Sequence, residues 1–138
     1  MEYAINQSIR APRDRVWSLL TDAAGFPRWN STVQSIEGTI AQGQKINLRA
    51  TIAPNRMFNL LISELVPNER MVWRDGAAPM FSGVRTFTLT GDAVTTRFTM
   101  AEVYSGLMLP FIAGSLPNFI PVFETYARDL KRAAEVSI

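Results

Sequence analysis

The sequence predicts an α+β fold in which a curved antiparallel sheet of about seven strands wraps around one long C-terminal helix. Two short helices follow the first strand. Three observations carry this expectation. Ile46, Leu48, Ala50 and Ile52 alternate with Lys45, Asn47, Arg49 and Thr51, the period of a half-buried strand. Phe119, Val122, Phe123, Tyr126, Ala127, Leu130 and Ala134 recur at helical spacing, while Arg128, Asp129, Lys131, Arg132 and Glu135 fill the other face. Hairpin-linked strands with helices at the chain ends point to an α+β layering, and a bent sheet around one helix leaves a concave apolar space.

Residues 2–10 read as the first strand. Pro12 suits a first helical position and Asp14 complements a helix N-terminus, after which Val16, Trp17, Leu19 and Leu20 form an apolar stripe. Gly25 and Pro27 end or bend this helix, and Phe26 to Asn30 forms a second short helix or turn. Trp17 and Trp29 are explained as packing of these helices. Strands resume near Ser31. Residues 57–66 are apolar on both parities, with Phe58, Leu60, Ile62 and Val66 the stronger inward set. Pro67-Asn68-Glu69 marks a turn before Met71-Val72-Trp73-Arg74.

The last hairpin is expected to turn at Gly91-Asp92 as a two-residue loop pairing Thr90 with Ala93. In residues 80–90 the inward set is then Phe81, Gly83, Arg85, Phe87 and Leu89, and in residues 94–104 it is Val94, Thr96, Phe98, Met100, Glu102 and Tyr104. The two apolar sets fall on one face, which a one-residue slip would destroy. This register sets Arg85 opposite Phe98, about 13 Å of strand short of Glu102. The final helix is expected to start at an Asn118 cap, with Pro121 inside its first turn.

Composition narrows the chemistry. The 138 residues are the size of one domain, 1–138, with 47% hydrophobic and 19% charged residues. With no cysteine and no histidine, disulfides, thiolate metal sites and a serine–histidine–aspartate triad are excluded. No metal or other cofactor is expected, although oxygen-only binding of a hard cation stays formally open. Twelve of the fourteen basic residues are arginine, but they are scattered, and nucleic-acid binding is not expected. Neither a signal peptide nor a transmembrane segment is expected. The uncharged run from Val103 to Phe123 is broken by Gly106, Pro110, Gly114, Pro117 and Pro121. A cytoplasmic protein is anticipated, and its oligomeric state is left open.

Three segments then carry a family resemblance: Ile9-Arg10-Ala11-Pro12 through Trp17 to Phe26-Pro27-Arg28-Trp29-Asn30; Val66-Pro67-Asn68 with Met71-Val72-Trp73; and Glu102 through Pro110 ahead of the last helix. In this order they resemble the START-related SRPBCC superfamily, whose helix-grip fold is that of the birch-pollen allergen. The resemblance implies a cavity between sheet and long helix for a lipid, polyketide or other apolar molecule. Its members include carriers, aromatic-ring cyclases and dehydratases, and chaperone activators, so the fold leaves the activity open. Where cyclase-like members use a histidine, this chain has none.

The residues expected to face the ligand are Trp73, Phe81, Arg85, Phe87, Phe98, Met100, Glu102 and Tyr104 from the sheet, with Phe119, Phe123 and Tyr126 from the helix. Glu102 is the catalytic candidate, since a carboxylate among apolar walls suits acid–base work or a hydrogen bond to a ligand. Arg85 suits a ligand carboxylate or a cavity acid. Ser105-Gly106 and Gly114-Ser115 flank an apolar stretch suited to gating. The leading expectation is binding or transport of a small hydrophobic molecule. The alternatives are a cofactor-independent cyclase or dehydratase and a chaperone-activator-like interaction module.

Overall fold

The computed structural model describes residues 1–77, 79–112, 114 and 118–136; Ser115 and Pro117 of the uncharged run lie outside the described residues. β1 (Glu2–Ile9) leads into α1 (Arg13–Thr21), a 3₁₀ turn (Ala23–Gly25) and α2 (Phe26–Trp29). Then follow β2 (Val33–Glu37), β3 (Lys45–Ala50), β4 (Phe58–Val66), β5 (Arg70–Ala77), β6 (Phe81–Gly91) and β7 (Thr96–Ser105). A short α3 (Leu109–Ile112) precedes the long α4 (Ile120–Glu135). The seven strands form one antiparallel sheet in the order β1-β7-β6-β5-β4-β3-β2.

α4 lies on the concave face with Phe123, Tyr126, Ala127, Leu130 and Ala134 buried. Polar anchors fix it at two places. Midway, the Asp129 carboxylate accepts hydrogen bonds from the Ser31 N–H (2.8 Å) and hydroxyl (2.7 Å). At its C-terminus, where backbone carbonyls lack helical partners, Arg15 donates to the carbonyls of Ala134 (2.5 Å) and Val136 (3.0 Å). Among the described residues the N-terminal end has lighter polar support: Asn118 Oδ1 accepts from the Ile120 N–H (3.1 Å). The cap thus acts from one residue before Phe119, and the helix begins one residue later than Asn118 as an N-cap would place it.

The β6–β7 hairpin corrects the expected register. Thr90 pairs with Arg97 and Gly91 with Thr96, so the loop runs over Asp92–Thr95. Asp92 explains the longer loop: its Oδ1 accepts the N–H groups of Val94 and Thr95 (2.8 Å each). Val94, expected inward, sits in this loop and is 70% exposed. The shift from Ala93 to Arg97 is four residues, an even number, so the inward and outward sets survive while every cross-strand partner changes. β4 departs from simple alternation too. A register shift between Ile62 and Glu64 turns Leu65 toward the core and leaves Val66 exposed. Ile52 falls beyond the end of β3 and is 40% exposed.

Gly91 closes the hairpin at φ +129°, where an added Cβ would stand 2.2 Å from the Thr95 carbonyl oxygen. Gly91→Ala is therefore expected to destabilise the fold by roughly 1–3 kcal/mol, read as a lower urea midpoint. A loss below about 0.5 kcal/mol would show that the hairpin does not depend on this backbone conformation.

Candidate ligand cavity

The inward side chains of β5, β6, β7 and β1 form cross-strand rows. One row is Met71–Phe87–Met100–Ile5, followed along the strands by Trp73–Arg85–Glu102–Tyr3 and then Asp75–Gly83–Tyr104. The first row belongs to the dry core: Met71, Phe87 and Met100 are each 0% exposed. The second row brings charge onto the same face. Arg85 Nε and a terminal guanidinium nitrogen both donate to Glu102 Oε2, at 3.2 and 2.8 Å. The guanidinium also stands 5.0 Å from the centroid of the Phe123 ring on α4. The expected separation of Arg85 and Glu102 is thus wrong. They are direct cross-strand partners, because the hairpin is four residues out from the two-residue turn.

From this row outward, sheet and helix enclose a cavity of about 200 Å³. Leu48, Ala50, Phe58 and Leu60 supply its apolar wall on β3 and β4, and Phe119, Val122 and Phe123 supply the helix side. Its mouth lies at the β3–β4 loop, where the lining residues Ile52 and Arg56 are exposed. Of the residues expected to face a ligand, Trp73, Phe81, Arg85, Glu102, Tyr104, Phe119, Phe123 and Tyr126 line this cavity. Phe87, Phe98 and Met100 do not. They lie in deeper rows, covered by α4: Tyr126 is parallel to Phe98 (interplanar angle 7°, centroids 6.4 Å) and packs on Phe87.

The sequence analysis missed three polar lining residues, Thr32, Arg56 and Asp75, and of these Asp75 lies beside the ion pair. Alternation from Met71 and Trp73 places it inward, and that was the available clue. Burial pushes its carboxyl above the ordinary 3.8; the Gly76 N–H and the Arg56 and Arg85 charges oppose this, and nearby Glu102 adds to it. Burial and the neighbouring Glu102 push the Tyr104 hydroxyl up, against Arg85. Burial pushes the Tyr126 hydroxyl up as well, again opposed by Arg85. Both phenols therefore remain protonated near neutral pH. Desolvation works against the Arg85 charge, but Glu102 more than offsets it, so Arg85 stays a cation. Gly83 keeps the outer row open: a Cβ there would meet the Tyr104 ring at 3.2 Å. Phe81 stacks on that same ring, with centroids 5.8 Å apart.

The arrangement combines an ion pair, a second carboxyl and two phenols along one strip of an otherwise apolar chamber. Among the described residues no three carboxylates gather as a metal cluster would require. The described residues also contain no helix long and apolar enough to cross a membrane.

Residues 3–135 match the family described as polyketide cyclase / dehydrase and lipid transport. The chain belongs to this family. Among curated proteins none matches in sequence at a significant level. Solved structures share the fold at low identity. A protein from Mesorhizobium loti superposes with a TM-score of 0.74 at 17% identity, over 96% of each chain. A START superfamily protein from Mycobacterium smegmatis gives 0.71 at 15%, over 97% of each chain. The Aha1 dimer from Colwellia psychrerythraea gives 0.72 at 17%, covering 99% of this chain and 97% of that one. These likenesses establish an SRPBCC-type helix-grip fold.

The raised Asp75 pKa has a consequence for stability. A carboxyl whose folded pKa lies above its unfolded value costs stability once ionised. Stability is lost as pH rises through that interval, and the cost vanishes below the ordinary 3.8. Asp75→Asn is thus expected to be more stable than the native protein in urea unfolding at neutral pH. The gap should close at roughly pH 3. Equal stability at neutral pH would mean that the Arg56 and Arg85 charges fully compensate the burial of Asp75.

Proposed function

We propose that this protein binds and carries a small hydrophobic molecule of one or two rings in the chamber between the sheet and α4. The observation that carries this reading is the cavity itself: mostly apolar walls around one strip of ionised and hydroxylic side chains. At about 200 Å³ it falls below the roughly 300–1,000 Å³ of pockets for drug-sized ligands, which favours a compact ring system over a two-chain lipid. Burying apolar surface contributes about 25 cal/mol per Å², enough to hold such a molecule with one or two polar contacts. Exposed apolar side chains at the cavity end of the barrel, among them Ile52, Met57, Met80, Leu107 and Phe111, offer a route of low polarity to the mouth. The family's description, which includes lipid transport, agrees with a carrier role.

A cyclase- or dehydratase-like reaction is the second reading, and one observation favours it. Asp75 and Glu102 line one cavity, and the environment pushes the Asp75 carboxyl up, the pattern of an acid–base pair. The interaction-module reading would use the exposed apolar rim, but it gives no role to the chamber beneath.

Native mass spectrometry of protein isolated from its own cells tests the proposal. The expected result is a retained small molecule, lost in Val122→Trp, which fills the helix side of the chamber. A carrier releases that molecule unchanged, whereas a dehydratase releases it lighter by one water. Absence of any adduct, together with no calorimetric affinity for two-ring hydrocarbons, would refute ligand binding.

A further inference from the structure

The end of the sheet at which the chamber opens is rimmed by apolar side chains that face solvent. Antiparallel pairing brings three connections to that end: the β3–β4 loop, the β5–β6 turn and the segment from β7 into α3. Two of them are tied together by their backbones, since the Leu107 and Met108 N–H groups donate to the carbonyls of Pro79 (2.9 Å) and Met80 (2.8 Å). Gly106 permits this approach: at φ +122° an added Cβ would stand 2.5 Å from the Met80 carbonyl oxygen. The tied pair presents Leu107 and Phe111 at 66% and 80% exposure, together with exposed Met80 and Met108, and the β3–β4 loop adds Ile52 and Met57. Single exposed apolar residues are ordinary, but a set gathered around a cavity mouth marks a contact surface.

Charge identifies what the surface contacts. Residues 51–57, 79–81 and 105–112 contain one ionisable side chain, Arg56, and no acid. Arg56 is exposed, lies 4.6 Å from the centroid of the Phe58 ring, and joins no salt bridge among the described residues. The acid whose charge it meets is Asp75, inside the mouth. A second cation, Arg49, donates to the Pro54 carbonyl of the same loop (2.8 Å). An apolar rim with cations and no acid matches an anionic bilayer, whose headgroups attract arginine while the hydrocarbon boundary takes Leu and Phe. A second copy seated here would instead meet Arg56 with the same uncompensated rim.

We propose that this rim docks the mouth of the chamber onto an anionic lipid bilayer, with Leu107 and Phe111 entering the hydrocarbon boundary and Arg56 among the headgroups. The purpose of docking rests on the carrier reading: an apolar cargo then passes between chamber and membrane without crossing water. The docking itself rests on the rim alone.

Co-sedimentation of the full chain with vesicles tests it. Native protein is expected to pellet with phosphatidylcholine vesicles containing one-third phosphatidylglycerol, and to partition about fivefold less onto phosphatidylcholine alone. Leu107→Ser/Phe111→Ser should partition at least about tenfold less. Arg56→Gln should lose about fivefold on the anionic vesicles only, a difference that added salt removes. These side chains are exposed, so the urea midpoints should stay at the native value. Should the double variant unfold early, Phe111→Trp gives a second reading, an emission that shifts to the blue when anionic vesicles are added. Native protein left in the supernatant, variants that pellet as well as the native chain, or an unshifted Phe111→Trp emission would overturn the proposal. So would a native dimer in sedimentation velocity that the double variant converts to monomer, since a second copy would then cover the rim. If vesicles are not bound while native mass spectrometry still finds a retained molecule, the docking falls and the carrier reading stands. If vesicles are bound by a chamber that retains nothing, the docking stands and the carrier reading falls.

Discussion

The Arg85–Glu102 ion pair is the constraint around which this molecule is arranged. It sits on the concave face of the sheet, one row beyond the fully buried Met71, Phe87 and Met100. Dry packing of α4 against that row would strand two charges, at a cost that their mutual attraction does not reliably repay. The side chains instead keep 21% and 11% of their surface exposed, and sheet and helix diverge into a chamber. The core therefore stops where the charge begins. Tyr126 spans that boundary, stacked on Phe98 below and lining the chamber above.

The anchoring of α4 follows the same division. Arg15 and Asp129 tie its middle and C-terminal parts to the N-terminal segment, over the dry core. Its N-terminal part, which carries Phe119, Val122 and Phe123, is the part that faces the chamber. Polar contacts thus hold the helix where packing is tight, and leave the chamber end dependent on aromatic contacts such as Tyr3 with Phe119 and Phe123. In this fold a ligand would complete the packing that the ion pair prevents.

Much of this was legible in the sequence, because the inward face of a strand depends only on parity. An error of four residues at the β6–β7 turn left Phe81, Arg85, Glu102 and Tyr104 facing inward. It did not leave their partners intact, since pairing depends on the actual offset. That offset is set by Asp92 accepting two loop N–H groups, a local contact that a glycine-first turn rule does not register. Parity is equally silent on height along the strand. Phe87, Phe98 and Met100 share the face of the cavity residues and yet lie beneath it, because where α4 makes contact is a tertiary fact. Asp75 was within reach of the same alternation, two residues beyond Trp73.

If the ion pair serves the chamber rather than the fold, removing it as a unit should not harm stability. Buried pairs replaced by apolar residues of similar size are often neutral, or stabilising by about 1–4 kcal/mol. The decisive measurement is the urea unfolding free energy of the double variant Arg85→Met/Glu102→Leu in the absence of ligand. The account predicts a value equal to or above that of the native protein, as apolar side chains let α4 settle onto the sheet. A loss of more than about 2 kcal/mol would contradict it, and would make the pair a structural element of the sheet instead.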